Sequence, residues 1–260
     1  MQEFRPPTPF HDEDGASRGW LELERGGFKF HAQERPSVAA GAADTPDRVH
    51  AESSLVVEHV RSGVRLAFSA QGALAQAASS RAPFFAAYPG ELSVDPERRR
   101  AVLARERAIE AGDFGRLVPS RTAIPMDKLL QQGYVHLYAN VLLFEASRTD
   151  GQVRLDVRLR VMDDMWLVLL RYYALADGKV TMHDVRYYAS TDAPEVILQD
   201  EETREMAVGA LAETAAHSRP PTASMRAADV ADPRFYLKPD NVWHLVSPSL
   251  RKQQEIPLVP

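Results

Sequence analysis

The sequence predicts an α/β fold of the α+β type, a central antiparallel β-sheet meander flanked by helices in a single domain. Three observations carry that expectation. Val153 to Val161 alternates apolar and charged or polar residues without a break, the period of a strand buried on one face. Met165 to Ala176 and Lys179 to Tyr188 are two further apolar runs, joined by Asp177-Gly178, the dipeptide favoured in a type I′ hairpin turn. Asp95-Pro96-Glu97 opens a helix, with a capping carboxylate, proline at the first helical position and acid in the first turn.

In chain order, residues 1–18 are Pro-rich and acidic and read as a loose arm. Trp20-Leu21-Glu22-Leu23 alternates as a short strand. Residues 32–50, with Pro36, Gly41 and Pro46, read as a loop. Leu55–Val60 and Val64–Phe68 form a hairpin across Arg61-Ser62-Gly63, and an Ala-rich helical turn follows from Ala70 to Ala78. The helix opened by Asp95 should run to Ala111 and stop at Gly112, docking through Val102, Leu103 and Ile109 while Arg98, Arg99 and Arg100 face water. Tyr134–Phe144 is strand-like, and beyond Asp200 the chain is expected to turn helical and acidic through Glu201, Glu202, Glu205 and Glu213. The domain should span 19–216. Residues 217–260 form a Pro-punctuated extension, whose Val242-Trp243-His244-Leu245 is apolar enough to dock back on the domain.

Bulk composition narrows the function classes. The 260 residues are 45% hydrophobic and 26% charged, an ordinary globular balance. A formal net charge of −5 disfavours a general nucleic-acid binder, which needs a basic face. The absence of cysteine removes disulfides, thiolate nucleophiles and thiolate-bound zinc together. The start lacks the pattern of a signal peptide, and the block from Met165 to Leu170 is too short to cross a bilayer. A cytoplasmic monomer without membrane association or cofactor is expected.

Two-residue turns at Asp177-Gly178 and Asp163-Asp164 set the registers of the meander. Tyr173 should face Met182, Arg171 face Asp184, Leu169 face Arg186, and Asp156 face Arg171. One sheet face is then apolar (Leu155, Val157, Leu159, Val161, Val168, Leu170, Val185), with Tyr172, His183 and Tyr187 among it. The other carries the row Asp156–Arg171–Asp184, flanked by Arg158, Leu169, Arg186, Tyr173 and Met182. Two readings stay open: a solvated face stabilised by cross-strand charge pairs, or a recognition surface with apolar anchors inside a charged frame.

Several ordered blocks resemble the TIPRL-like family of TOR-signalling pathway regulators. Arg160-Val161-Met162, Leu167 to Tyr173, Asp177-Gly178-Lys179-Val180 and Asp184-Val185-Arg186-Tyr187-Tyr188 are similar to its R-V-M-P, F-x-L-L-R-F-F, D-G-V and D-T-R-L-Y blocks. Upstream, Leu143-Phe144-Glu145 resembles an L-F-E block, and Leu66–Leu74 an F-N-A-x-D-A-L turn. The resemblance implies a non-catalytic protein that binds type-2A-class Ser/Thr phosphatase catalytic subunits. It places the contact at Ile124, Met182 and Asp184, and the register adds Arg186, Arg171 and Tyr173 around them. One contact position departs: the acid of the F-N-A-x-D-A-L turn is Gly72 here.

No nucleophile elbow, phosphate loop, dinucleotide fingerprint or H-E-x-x-H pair is present. The alternative reading is a small enzyme with a metal-dependent acidic site of Glu145, Asp156 and Asp184, against which Arg171 stands between two of the three. A third reading, nucleic-acid binding through Arg98, Arg99, Arg100, Arg105 and Arg107, meets interleaved Glu97, Glu106 and Glu110 and no stacking aromatic.

Overall fold

The structure, a computed structural model, describes residues 20–35, 38–39, 48–80, 88–105, 113–130, 133–148, 151–211, 243 and 245–258. Strands β1 (Trp20–Arg25), β2 (Phe28–Gln33), β3 (Val38–Ala39), β4 (Arg48–Val49), β5 (Ser54–His59) and β6 (Val64–Ser69) lead into helix α1 (Ala70–Ser80). Then come β7 (Glu91–Val94), α2 (Pro96–Arg105), β8 (Val118–Pro119) and α3 (Met126–Leu130). The long strands follow: β9 (Val135–Arg148), β10 (Gly151–Met162), β11 (Met165–Ala176), β12 (Lys179–Ser190), β13 (Val196–Ala207) and β14 (Leu250–Pro257).

Among the described residues these strands form two antiparallel sheets, of order β1-β2-β5-β6-β7 and β3-β4-β9-β10-β11-β12-β13-β14-β8. The registers follow the turns. Asp177 and Gly178 take φ of 52° and 66°, the paired positive values a type I′ turn requires. Tyr173 pairs with Met182, Arg171 with Asp184 and Leu169 with Arg186, and Asp156 pairs with Arg171 on the other side.

The apolar face of the larger sheet is covered by the smaller one, sheet on sheet. Phe28, Phe30, Leu55, Val57, Leu66 and Phe68 meet Leu155, Val157, Leu159, Val161, Val168, Leu170 and Val185 in one core. Trp166 lies fully buried in it, edge-on to Phe28 at 5.2 Å and Phe30 at 6.0 Å between ring centroids. Tyr187 reaches across to donate a hydrogen bond to the Pro89 carbonyl (2.8 Å).

The antiparallel meander is therefore present, while among the described residues the flanking helices are few and short. The chain does not turn helical at Asp200: Glu201, Glu202 and Glu205 belong to β13, helix begins only at Val208 and is described to Leu211, and Glu213 lies outside the described residues. Its acidic residues misled because local charge resembles a solvated helix. Cross-strand arginines, distant in sequence, make the extended form favourable. The loop of 32–50 contains the end of β2 and the short pair β3–β4, and β7 adds a strand to the smaller sheet. The extension after 217 supplies β14, paired with β13 from Val196–Pro257 to Thr203–Leu250.

Helix α2 starts as its cap dictates. The Asp95 carboxylate accepts from the backbone N–H of Glu97 (2.8 Å) and Arg98 (3.2 Å), and Val102 is buried. Ile109 lies outside the described residues. The arginines are not equivalent, as the sequence had them. Arg98 donates to Glu58 (2.8 Å) and to the Val60 carbonyl (2.7 Å), tying α2 to β5, and Arg99 lies over the Phe114 ring at 5.6 Å, whereas Arg100 is exposed. Arg98→Gln is therefore expected to cost about 1 kcal/mol and Arg100→Gln less than about 0.5 kcal/mol, read from denaturant melts of each variant.

His59, at the end of β5, packs on Phe28 (5.0 Å between ring centroids) with Nδ1 2.8 Å from Ser62 Oγ. Burial, with Arg61 adding to it, lowers its pKa to about 4. A histidine kept neutral in the fold but free to protonate when unfolded contributes stability above its unfolded pKa of about 6.5 and loses it as pH falls toward 4. The melting temperature should accordingly drop between pH 7 and pH 4, with a shallower slope in His59→Gln.

Candidate functional site

The other face of the larger sheet carries the charged row. Strand alternation sends Arg154, Asp156 and Arg158 of β10, Arg171 and Tyr173 of β11, and Met182, Asp184 and Arg186 of β12 to it, with Asp200, Glu202 and Arg204 of β13 beyond. Arg171 grips Asp184 with two parallel bonds, Nε to Oδ1 and Nη2 to Oδ2, both 2.8 Å. Arg186 adds a third to Asp184 Oδ2 at 3.0 Å and lies 3.1 Å from Glu202. Glu202 also accepts from Arg204 (3.0 Å), and Arg251 of β14 reaches Asp200 at 3.2 Å. Asp156 is held within its own strand, by Arg154 Nε at 3.1 Å and Arg158 Nε at 2.9 Å.

This network is interior, which overturns the expectation of a face outside the core. Asp156 and Asp184 have no exposed surface, and Arg171 retains 4%. Burial pushes the Glu202 carboxyl up, but Arg186 and Arg204 outweigh it and hold the group below its usual range. Tyr173 and Met182 are fully buried in a cluster with Leu175, Val180, Leu211, Leu245 and Val246. Ile124 is buried at the other end of the face, against Met162, Met165, Tyr188 and Leu198. Over the arginines lies Trp243. Its ring centroid is 3.6 Å from the guanidinium carbon of Arg204, 4.6 Å from that of Arg186 and 5.0 Å from that of Arg171. Arg204 also donates Nη1 to the Val246 carbonyl.

The structure thus brings Arg171, Tyr173, Met182, Asp184 and Arg186 together and sets Ile124 apart on the same sheet face. Sequence reasoning paired the strands but missed Asp200, Glu202, Arg204 and Arg251, because it read the chain beyond Asp200 as helix and β14 as part of a Pro-punctuated extension. A period-two reading of 196–206 would have found the first three. His183 points to the sandwich side, its Nδ1 2.9 Å from Thr203 Oγ1, so it does not act with Asp184.

The acidic-site alternative loses its geometry. Glu145 pairs with Arg48 (3.3 Å) while Asp156 and Asp184 each answer two guanidiniums. Among the described residues no group of three or more His, Cys, Asp or Glu side chains could hold a metal ion. At the α1 turn, a side chain at Gly72 would collide with a carboxylate already there: a Cβ would stand 1.9 Å from Glu91 Oε1, which accepts from Tyr88 (3.1 Å) and Ser69 (3.2 Å).

The described residues thus form a β-sandwich whose second face carries a buried, arginine-stapled acid row. Strands β9 to β13 fall within residues 83–211, which match the model of the TIP41-like family. Over these residues the chain is similar to that family. A TIP41-like protein of Homo sapiens is 32% identical over 98 residues, covering 37% of this chain and 36% of the relative. Its counterparts in Rattus norvegicus and Mus musculus are each 34% identical over 79 residues, covering 30% of this chain and 29% of the relative. The matches thus span about a third of the length of these curated relatives. No helix of the described residues is long and apolar enough to cross a membrane.

Proposed function

We propose that the chain is a non-catalytic regulator that binds the catalytic subunit of type-2A-class Ser/Thr phosphatases and through it modulates TOR signalling, acting in the cytoplasm as a monomer. The observation that carries this reading is the juxtaposition of Met182 and Asp184 with Arg171, Tyr173 and Arg186 on one sheet face. These are the residues that the TIPRL-like blocks mark as contacts or that the register sets beside them. The family match over 83–211 supports it. The carboxylates of this face are each engaged by arginine, an arrangement suited to holding the sheet face rigid and oriented rather than to proton transfer or metal binding.

A purified type-2A catalytic subunit passed over the immobilised full chain tests the proposal. Saturable one-to-one binding, without turnover of phosphoester substrates by the chain alone, is expected. Absence of binding, or hydrolytic activity that tracks the purified chain through successive columns, would overturn it.

A further inference from the structure

The ion-paired face is shut in this structure, and what shuts it differs in kind from the core on the opposite side. The sandwich core is interdigitated apolar packing around Trp166. Over the arginines and the Tyr173–Met182 end of the second face, beside Leu211, lies a short stretch, Trp243 with Leu245 and Val246, followed by exposed Ser247, Pro248 and Ser249. Trp243 itself is only partly buried. It rests on three guanidinium faces, and one main-chain carbonyl, that of Val246, is received by Arg204.

The network beneath does not depend on that cover. Asp184 is answered by Arg171 and Arg186, and Glu202 by Arg186 and Arg204, all within the sheet. Lifting Trp243 would leave these charges paired, so opening avoids the penalty of an unpaired buried ion. The lifted state would present three guanidiniums spaced to receive one aromatic ring, beside the apolar cluster of Tyr173 and Met182.

We propose that the stretch carrying Trp243, Leu245 and Val246 is an intramolecular cover of the ion-paired face, and that its seat takes an aromatic side chain of a protein partner once the cover leaves. The identity of that partner as a phosphatase catalytic subunit rests on the proposed function; the cover does not. An aromatic residue with a neighbouring main-chain carbonyl reproduces what Trp243 and Val246 supply. The chain then has a closed state and an open one, and the partner binds only the open one, so its apparent affinity is reduced by the closed fraction.

Two arms test this in the full chain. In the first, a synthetic peptide of residues 241–249 is titrated into the parent and into Trp243→Ala. It should bind the variant at least tenfold more tightly than the parent, and a peptide with alanine in place of the tryptophan should not bind. Equal binding to both chains, or binding indifferent to the tryptophan, overturns the cover. In the second arm, the purified phosphatase catalytic subunit should bind Trp243→Ala at least tenfold more tightly than the parent. Equal, measurable affinities overturn the cover, whereas no binding to either chain alongside a positive peptide arm overturns the phosphatase reading and supports the cover. Trp243→Leu, which keeps apolar volume over the sheet and removes the ring, must give the same order. If neither variant folds, the indole is core and the proposal fails.

Discussion

Asp184→Asn is expected to destabilise the chain by about 3–5 kcal/mol, the cost of breaking a buried ion pair from one side. Asp184 has no exposed surface and takes three short bonds, two from Arg171 and one from Arg186. The amide can accept one of those bonds but neutralises neither guanidinium, which would remain inside the protein with its charge unanswered. At about 2–4 °C per kcal/mol for a chain near this size, the melting temperature should fall by roughly 10 °C. The double replacement Arg171→Met with Asp184→Leu should cost less than the single one, because it leaves no lone charge from that pair. Equal losses in single and double variants, read by urea unfolding, would show that the pair is not what holds this face.

Trp166→Ala is expected to cost a similar 3–5 kcal/mol by a different route. Trp166 is fully buried at the meeting of the two sheets, edge-on to Phe28 and Phe30, and alanine would leave a cavity that strands hydrogen-bonded on both sides cannot close. Trp166→Phe should recover most of the loss. The two positions separate folding from recognition. Both lower stability, but Trp166 lies on the sandwich side, so its folded fraction should bind a partner as the parent does.

Much of the fold could be read from residues because the informative signals were local. Asp177-Gly178 sets a hairpin, the alternation of Val153 to Val161 assigns two faces, and Asp95-Pro96 opens a helix. These survive in the structure with the registers they imply. What was not legible depended on partners far away in the chain. The acids of β13 look like a solvated helix until Arg186 and Arg251 are placed beside them, and β14 lies 50 residues or so beyond the strand it joins. The candidate site shows the same limit. Register alone placed Arg171 opposite Asp184. That the row is interior follows from Trp243, Leu245 and Val246 returning over it, and nothing in the meander announces that.

That this face is where the chain meets its partner is tested most directly by hydrogen–deuterium exchange of the full chain, alone and with the purified phosphatase catalytic subunit. Changed exchange is expected in the segments around Ile124, 180–186, 200–206 and 243–249, with 243–249 exchanging faster as the cover leaves. Strands β1, β2, β5 and β6 of the smaller sheet should be unaffected. A complex that forms while protecting only the smaller sheet, with the segment around Trp243 unchanged, would contradict it.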